Sequence, residues 1–288
     1  MKNAAGIIRT LLFFGLVGIA SICAALEVHI GDWETAPEGT TAFLYYGQYG
    51  SMSSSYSHGR KVDDNARMAT NIGILRFVHW LTLGGNPFAP NLLIPIGQIK
   101  TGGSLSPLGS TGGVGDVIIA LPYWPIHNHE TREYGSITLL TFLPTGSYDK
   151  NRPLNLGENR RKHDIQLGYQ HALGRSFFIE LEADGMFFLK NSDAELTQKP
   201  LYEVEGFLSY EWAPGSRVGV GLFYTFGGKT TINGVDQDDR VKTTKVALTG
   251  STFFDAKHQL IISLSKDMHV ENGLKEDKRL NFRLMHIF

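Results

Sequence analysis

Cysteine is nearly missing from this chain of 288 residues: Cys23 is the only one, and it falls within the first 25 positions. The remainder can hold neither a disulfide framework nor a thiolate metal site. After residue 25 there is also no run of 18 or more apolar residues, which argues against helical membrane spans. An excess of either charge is missing too, since 27 Lys+Arg stand against 28 Asp+Glu, and that balance does not point to nucleic acid. No serine sits in a nucleophile-elbow context, so an enzyme is not expected. The group His127-Asn128-His129-Glu130 has no third ligand near it in sequence and reads as a solvated turn, so no metal and no cofactor is expected.

The chain begins with a targeting signal. Lys2 and Arg9 make a positive n-region, Leu11 to Ile22 an apolar core, and Cys23-Ala24-Ala25 a small-residue cleavage site. We read residues 1–25 as a secretory signal peptide, whose loss removes two basic and no acidic residues and moves the net charge from −1 to −3. Ile22 stands where a lipoprotein signal wants a small residue before Cys23. Residues 26–39 form a short, polar N-terminal arm around Trp33, either periplasmic or folded into a lumen. Residues 40–288 are the main domain.

That domain is rich in glycine (33 residues) and in Tyr and Phe (11 and 17), and it alternates with a period of two. From Arg279 to Phe288 the sequence reads RLNFRLMHIF, with Leu280, Phe282, Leu284 and Phe288 on one parity and Arg279, Asn281 and Arg283 on the other. In the Phe177–Leu189 stretch, Phe177, Ile179 and Leu181 alternate with Glu180, Glu182 and Asp184. In Leu201–Trp212, Tyr202, Val204 and Leu208 alternate with Glu203, Glu205 and Glu211. Twelve such segments follow one another, each longer than the roughly 5–6 residues usual in soluble sheets. Tyr45, Trp80, Trp124, Tyr210 and Trp212 fall near segment ends, where a bilayer interface takes amphipathic rings. A soluble sandwich would bury the apolar parity, whereas a membrane barrel turns it to lipid and the charged parity inward. Strand length, aromatic ends and the signal favour an all-β fold: a transmembrane antiparallel up-and-down β-barrel of about twelve strands. The polar stretches Gly50–Asn65, Thr101–Gly113 and Lys150–Arg161 read as loops and as candidate constrictions.

Residues 112 to 173 carry a more specific pattern: Gly115-Asp116 leads a strand, Pro144-Thr145-Gly146 ends one, and Tyr148-Asp149 and Asn155-Leu156-Gly157-Glu158-Asn159 follow. This resembles the outer-membrane barrel family of the MetA pathway of phenol degradation. After its Asn-x-Gly-x-Asn such a protein usually has an aromatic, where this chain has the basic run Arg160-Arg161-Lys162-His163. The resemblance implies a barrel in the Gram-negative outer membrane that takes up small, often aromatic, compounds. It also implies that the strand ending on Phe288 is read by the barrel-assembly machinery. From the residues themselves, Gly146 suits a positive φ after the strand, and Asn155, Gly157 and Asn159 suit a structured loop held by side-chain-to-backbone hydrogen bonds or a direct ligand contact.

A cation at mid-bilayer on a lipid-facing wall costs about 2–4 kcal/mol. Glu180, Glu182, Asp184, Glu203, Glu205, Glu211, Lys245, Arg279 and Arg283 are therefore expected in the lumen. There they either set the field of an open pore or pair to fill a narrow one. The basic run Arg160–His163 is either a lipopolysaccharide contact or a solvated strand start. The function expected is passive admission of small organic solutes, with a filled, non-conducting barrel as the alternative and a lipid-modifying enzyme as a remote third.

Overall fold

Side chains that alternate between apolar and polar satisfy both neighbours only if the sheet they form separates two environments. The computed structural model describes residues 28–288, so the proposed signal peptide lies outside the described residues. Twelve long strands form one wall: β1 (Thr41–Ser57), β2 (Ala66–His79), β3 (Asn91–Gly103), β4 (Val117–Asn128), β5 (Glu133–Leu143), β6 (Lys162–Leu173), β7 (Phe177–Phe188), β8 (Leu201–Ala213), β9 (Ser216–Gly227), β10 (Val241–Phe253), β11 (His258–Val270) and β12 (Gly273–Ile287). Each pairs antiparallel with the next, and β12 returns to β1 from Ala42↔Ile287 to Tyr56↔Gly273. Closure leaves no free edge, as lipid demands.

The apolar parity faces outward. Leu181, Val220 and Leu222 are 47%, 58% and 56% exposed, while their neighbours Glu180, Glu182 and Arg217 are buried. Turns 129–132, 174–176, 214–215 and 254–257 at one end are short, whereas segments 144–161, 189–200 and 228–240 at the other are long. In bacterial barrels the short-turn end is periplasmic and the long-loop end extracellular.

Two of the expected loops are mostly wall. β1 continues to Ser57, and Arg60–Asp63 folds back onto it, so most of Gly50–Asn65 is a strand hairpin rising past the rim. β3 runs to Gly103, and Ser110–Val114 pairs with it from Ile96↔Val114 to Lys100↔Ser110. Polarity at an extracellular rim had mimicked a loop composition. Ser110–Val114 continues the line of β4, whose own pairing with β3 is limited to Asn91↔Ala120, Leu92↔Ile119 and Leu93↔Ile118. The break falls where Pro95 has no N–H to give, and the Gly115 N–H bonds to the Pro95 carbonyl at 2.8 Å instead. Trp124, expected at the interface, is inward and buried, its Nε1 donating to the Trp33 carbonyl at 2.9 Å.

Candidate functional site

The inner face has two unlike sides. On β1–β5 it is largely apolar: Leu44, Ile72, Ile74, Leu93, Leu140 and Phe142 are buried in one continuous cluster, with Gln48, Arg76, Asn91, Ser136 and Thr138 set among them. On β6–β12 it is charged. Glu180, Glu182, Glu205, Arg279 and Arg283 are buried there, and Asp184, Glu203, Glu211 and Lys245 are half-buried. Within this charged side the signs separate. Asp184 stands opposite Glu203 and Glu182 opposite Glu205 across the β7–β8 pair, beside Asp164 on β6. Glu182 accepts from Gln166 at 2.9 Å, and Glu203 accepts from the Thr225 hydroxyl. The cations stand on β9–β12. Lys245 lies 3.4 Å and Arg279 2.9 Å from Glu276, and Arg283 bonds to Gln259 at 2.9 Å.

Residues 28–36 of the N-terminal segment lie inside the lumen and join the two sides, while 37–39 are exposed beside Trp80 and Thr82. The segment's apolar residues divide between the two sides: Val28 and Trp33 join the β1–β5 cluster, and Ile30 packs with Phe207, Phe223 and Ala247. Its acids meet the basic wall. Asp32 pairs with Arg283, and Glu34 pairs with Arg217 and, at 3.2 Å, with Arg132. The Gly31 N–H donates to Glu180 at 2.8 Å, and Gln170 donates to Glu34 at 3.0 Å. Arg217 is the hub, lying 3.7 Å from Glu180 and 3.4 Å from Glu211, with its guanidinium 3.9 Å from the centre of the Phe178 ring. Arg132 holds Glu211 at 2.5 Å from the periplasmic turn. Gly168 has no side chain for a reason of space: a Cβ there would lie 2.1 Å from the Trp33 ring. Beside the segment a cavity of about 80 Å³ remains, walled on the β1–β5 side by Leu93, Ala120, Trp124 and Leu140 together with Arg76, Asn91, Ser136 and Thr138, and on the other by Asp32 and Gln166.

The loop residues recognised in the sequence meet at the kink in β4. The Asp116 carboxylate accepts the N–H of Gly146 and the N–H of Glu158, each at 2.9 Å. The Thr145 hydroxyl accepts from the Val117 N–H at 3.1 Å. Pro144 follows the last residue of β5, and Tyr148 is half-buried in the loop. Asn155 accepts the Asp149 N–H at 2.9 Å and donates to the Asp149 carbonyl at 3.1 Å. Gly146 and Gly157 do not have positive φ, contrary to the sequence reading of Gly146. They pass so closely that a Cβ on Gly146 would lie 2.7 Å from the Gly157 Cα and from the Gly115 carbonyl carbon. Asn159 does take the left-handed conformation, at φ 52°. Leu154 and Leu156 are carried into the lumen and buried there. The basic run divides by parity. Arg160 and Lys162 point inward onto Glu158, at 2.7 Å for Arg160, so neither reaches lipid, while Arg161 is exposed. Burial alone would raise the Glu158 carboxyl, but the two cations outweigh it and hold it below its ordinary value.

Sequence reasoning missed the apolar inner side, the two acids of the N-terminal segment, and Arg132 and Arg217. The first had a signal: stretches such as Val117–Trp124 are apolar on both parities, which a water-filled pore does not require. The other residues carry no local signal, because the salt links between the N-terminal segment and the wall span 98 to 251 positions.

A closed twelve-stranded barrel, apolar outside and ionised within, defines a Gram-negative outer-membrane channel. The family described as MetA-pathway of phenol degradation matches residues 52–284, and the chain belongs to it. The chain is similar to the COG4313 outer membrane channel from Pseudomonas putida F1, at 36% identity and TM-score 0.88, covering 91% of this chain and all of that one. It also shares the barrel fold of the beta domain of the Bordetella autotransporter BrkA, at 10% identity and TM-score 0.55, covering 88% and 100%. The comparison with curated proteins gives no match.

Proposed function

We propose that small apolar compounds, aromatic ones included, cross this channel by diffusion along the β1–β5 side of the lumen, with no chemical step. The observation that carries this reading is the continuous apolar cluster on the inner face of β1–β5, which reaches the cavity beside Trp33 and Trp124 through Leu93, Ala120 and Leu140. An apolar solute leaves water against this cluster at about 25 cal/mol per Å² of surface covered. The N-terminal segment is the obstacle. It is held by three salt links and its seat at Gly168 rather than by strand pairing, so it can shift while the wall stays closed. The surroundings proposed are outer-membrane lipid with lipopolysaccharide in its outer leaflet, and insertion through the strand ending on Phe288.

The test is solute flux into proteoliposomes, comparing a small aromatic with a sugar of similar size, for the wild type and for Gly168→Val, which removes the Trp33 seat. The aromatic is expected to exceed the sugar in both proteins, and the variant to admit both faster. Flux of the aromatic equal to that of protein-free liposomes in both proteins would sink the proposal and favour the filled, non-conducting barrel.

A further inference from the structure

The outward face of β7–β11 is not uniform. It carries an apolar depression of about 1000 Å³, floored by Leu181, Leu208, Val220, Leu222, Leu248 and Leu264. Gly206 lies on the same outward parity and leaves the floor low. At its upper margin the character changes abruptly, because Lys266, Asp277 and Lys278 line it there and are exposed. The β11–β12 ladder runs up to Ser265↔Arg279, and Lys266 and Lys278 are the next residue along each strand, both exposed. Two ammonium groups side by side repel one another unless an anion sits between them. The single acid among these margin residues, Asp277, accepts a hydrogen bond from the Ser53 hydroxyl at 2.6 Å.

The height of this pair matters. Ile287, at the periplasmic end of β12, lies nine positions beyond Lys278. At ~3.3 Å per residue and a ~40° tilt, that is roughly 23 Å of height, against an apolar band of about 25 Å. Below the pair the outward residues are Leu264, Ile262 and Leu260 on β11 and Leu280 and Leu284 on β12. The lysines thus stand where the acyl layer gives way to the outer headgroups, the depth at which cations on the lipid face cost least. We infer that Lys266 and Lys278, together with the depression beneath them, bind one phosphorylated, multi-acyl lipid of the outer leaflet. Its phosphate lies between the two ammonium groups, and an acyl chain fills the hollow over Gly206. This rests on the outer-membrane placement and not on the proposed solute.

The experiment is native mass spectrometry of the full chain in detergent after delipidation and titration with diphosphoryl lipid A, its dephosphorylated form, or phosphatidylethanolamine. The wild type is expected to hold one diphosphoryl lipid A in preference to the other two. The double variant Lys266→Gln/Lys278→Gln is expected to bind it about tenfold more weakly or worse. Lys100→Gln, at an exposed outward position on β3, should bind as the wild type does. Heat-modifiable migration on gels establishes that each variant is folded. Equal retention by the double variant, no preference for the phosphorylated form, or complete displacement by millimolar inorganic phosphate would each overturn the assignment. Solute flux through the variants should be unchanged, which separates failure here from failure of the transport reading.

Discussion

The β1–β5 side and the β6–β12 side of the lumen face each other across a short distance and are stabilised by opposite means. The first is ordinary apolar packing, in which Leu93, Ile99 and Phe142 are buried against neighbours of the same kind. The second is a charge network in which no member is secure alone. Arg217 serves Glu34, Glu180 and Glu211 together, and Arg283 serves Asp32. Apolar packing loses only what is removed from it. A buried charge that loses its partner retains its full desolvation cost. The charged side also holds the N-terminal segment, while the apolar side has no directional hold on a solute. One wall is thus suited to fastening and the other to passage.

This contrast can be broken most severely at Arg217. Arg217→Ala takes a cation from three carboxylates, leaving Arg132 to Glu34 and Glu211 and the Gly31 N–H to Glu180, and is expected to cost about 3–5 kcal/mol, read as a lowered urea midpoint of unfolding from detergent or lipid. Release of the N-terminal segment should accompany it, seen as protease cleavage within residues 28–39. On the other wall Leu93→Ala leaves a void in a packed cluster, with an expected loss of about 2–4 kcal/mol. The segment should stay in place there, because none of its salt links is touched. Equal cleavage of the segment in both variants would erase the distinction between the walls. Asp116→Ala removes the acceptor of two backbone N–H groups, at about 1.5–3 kcal/mol, and should free loop 144–161 without moving segment 28–39. Loop-specific hydrogen exchange checks it.

The smallest effect expected is with pH. The Glu158 carboxyl is held below its ordinary value of 4.5 by Lys162 and Arg160. Its folded-state value is lower than its unfolded one, so its contribution is complete above about 4.5 and fades as pH falls through the depressed value. Exchange protection of loop 144–161 should be flat from neutral pH down to about 4.5 and decline below it. A decline beginning near neutrality would assign the loop's stability to a different group.

The outer surface was readable residue by residue, because a lipid-facing parity must be apolar and must recur at every second position. Leu181, Val204 and Val220 declare their direction by themselves. The inner surface was readable only in part. Glu180 and Arg283 were placed inside because a charge has nowhere else to go in a bilayer, yet what each touches depended on Gly31 and Asp32 entering the lumen. Trp124 was misplaced because an aromatic near a strand end looks the same whether it faces headgroups or Trp33. The extended hairpins at Ser57 and Gly103 read as loops in the sequence because beyond the bilayer the apolar parity is no longer required and the alternation fades. The MetA-pathway family's loop motif was legible as a pattern. Its physical basis, three backbone segments closing over one carboxylate, was not.

By itself the sequence determined that this chain forms a closed wall with a greasy exterior and an ionised interior. Strand periodicity and the cost of a charge in lipid are local constraints that each residue carries with it. Only the tertiary structure decided which acids meet which bases, that residues 28–36 occupy the lumen, and that the lumen is largely apolar on one side. Those outcomes depend on groups far apart in the chain being brought within a few ångströms, and no local spacing encodes that meeting.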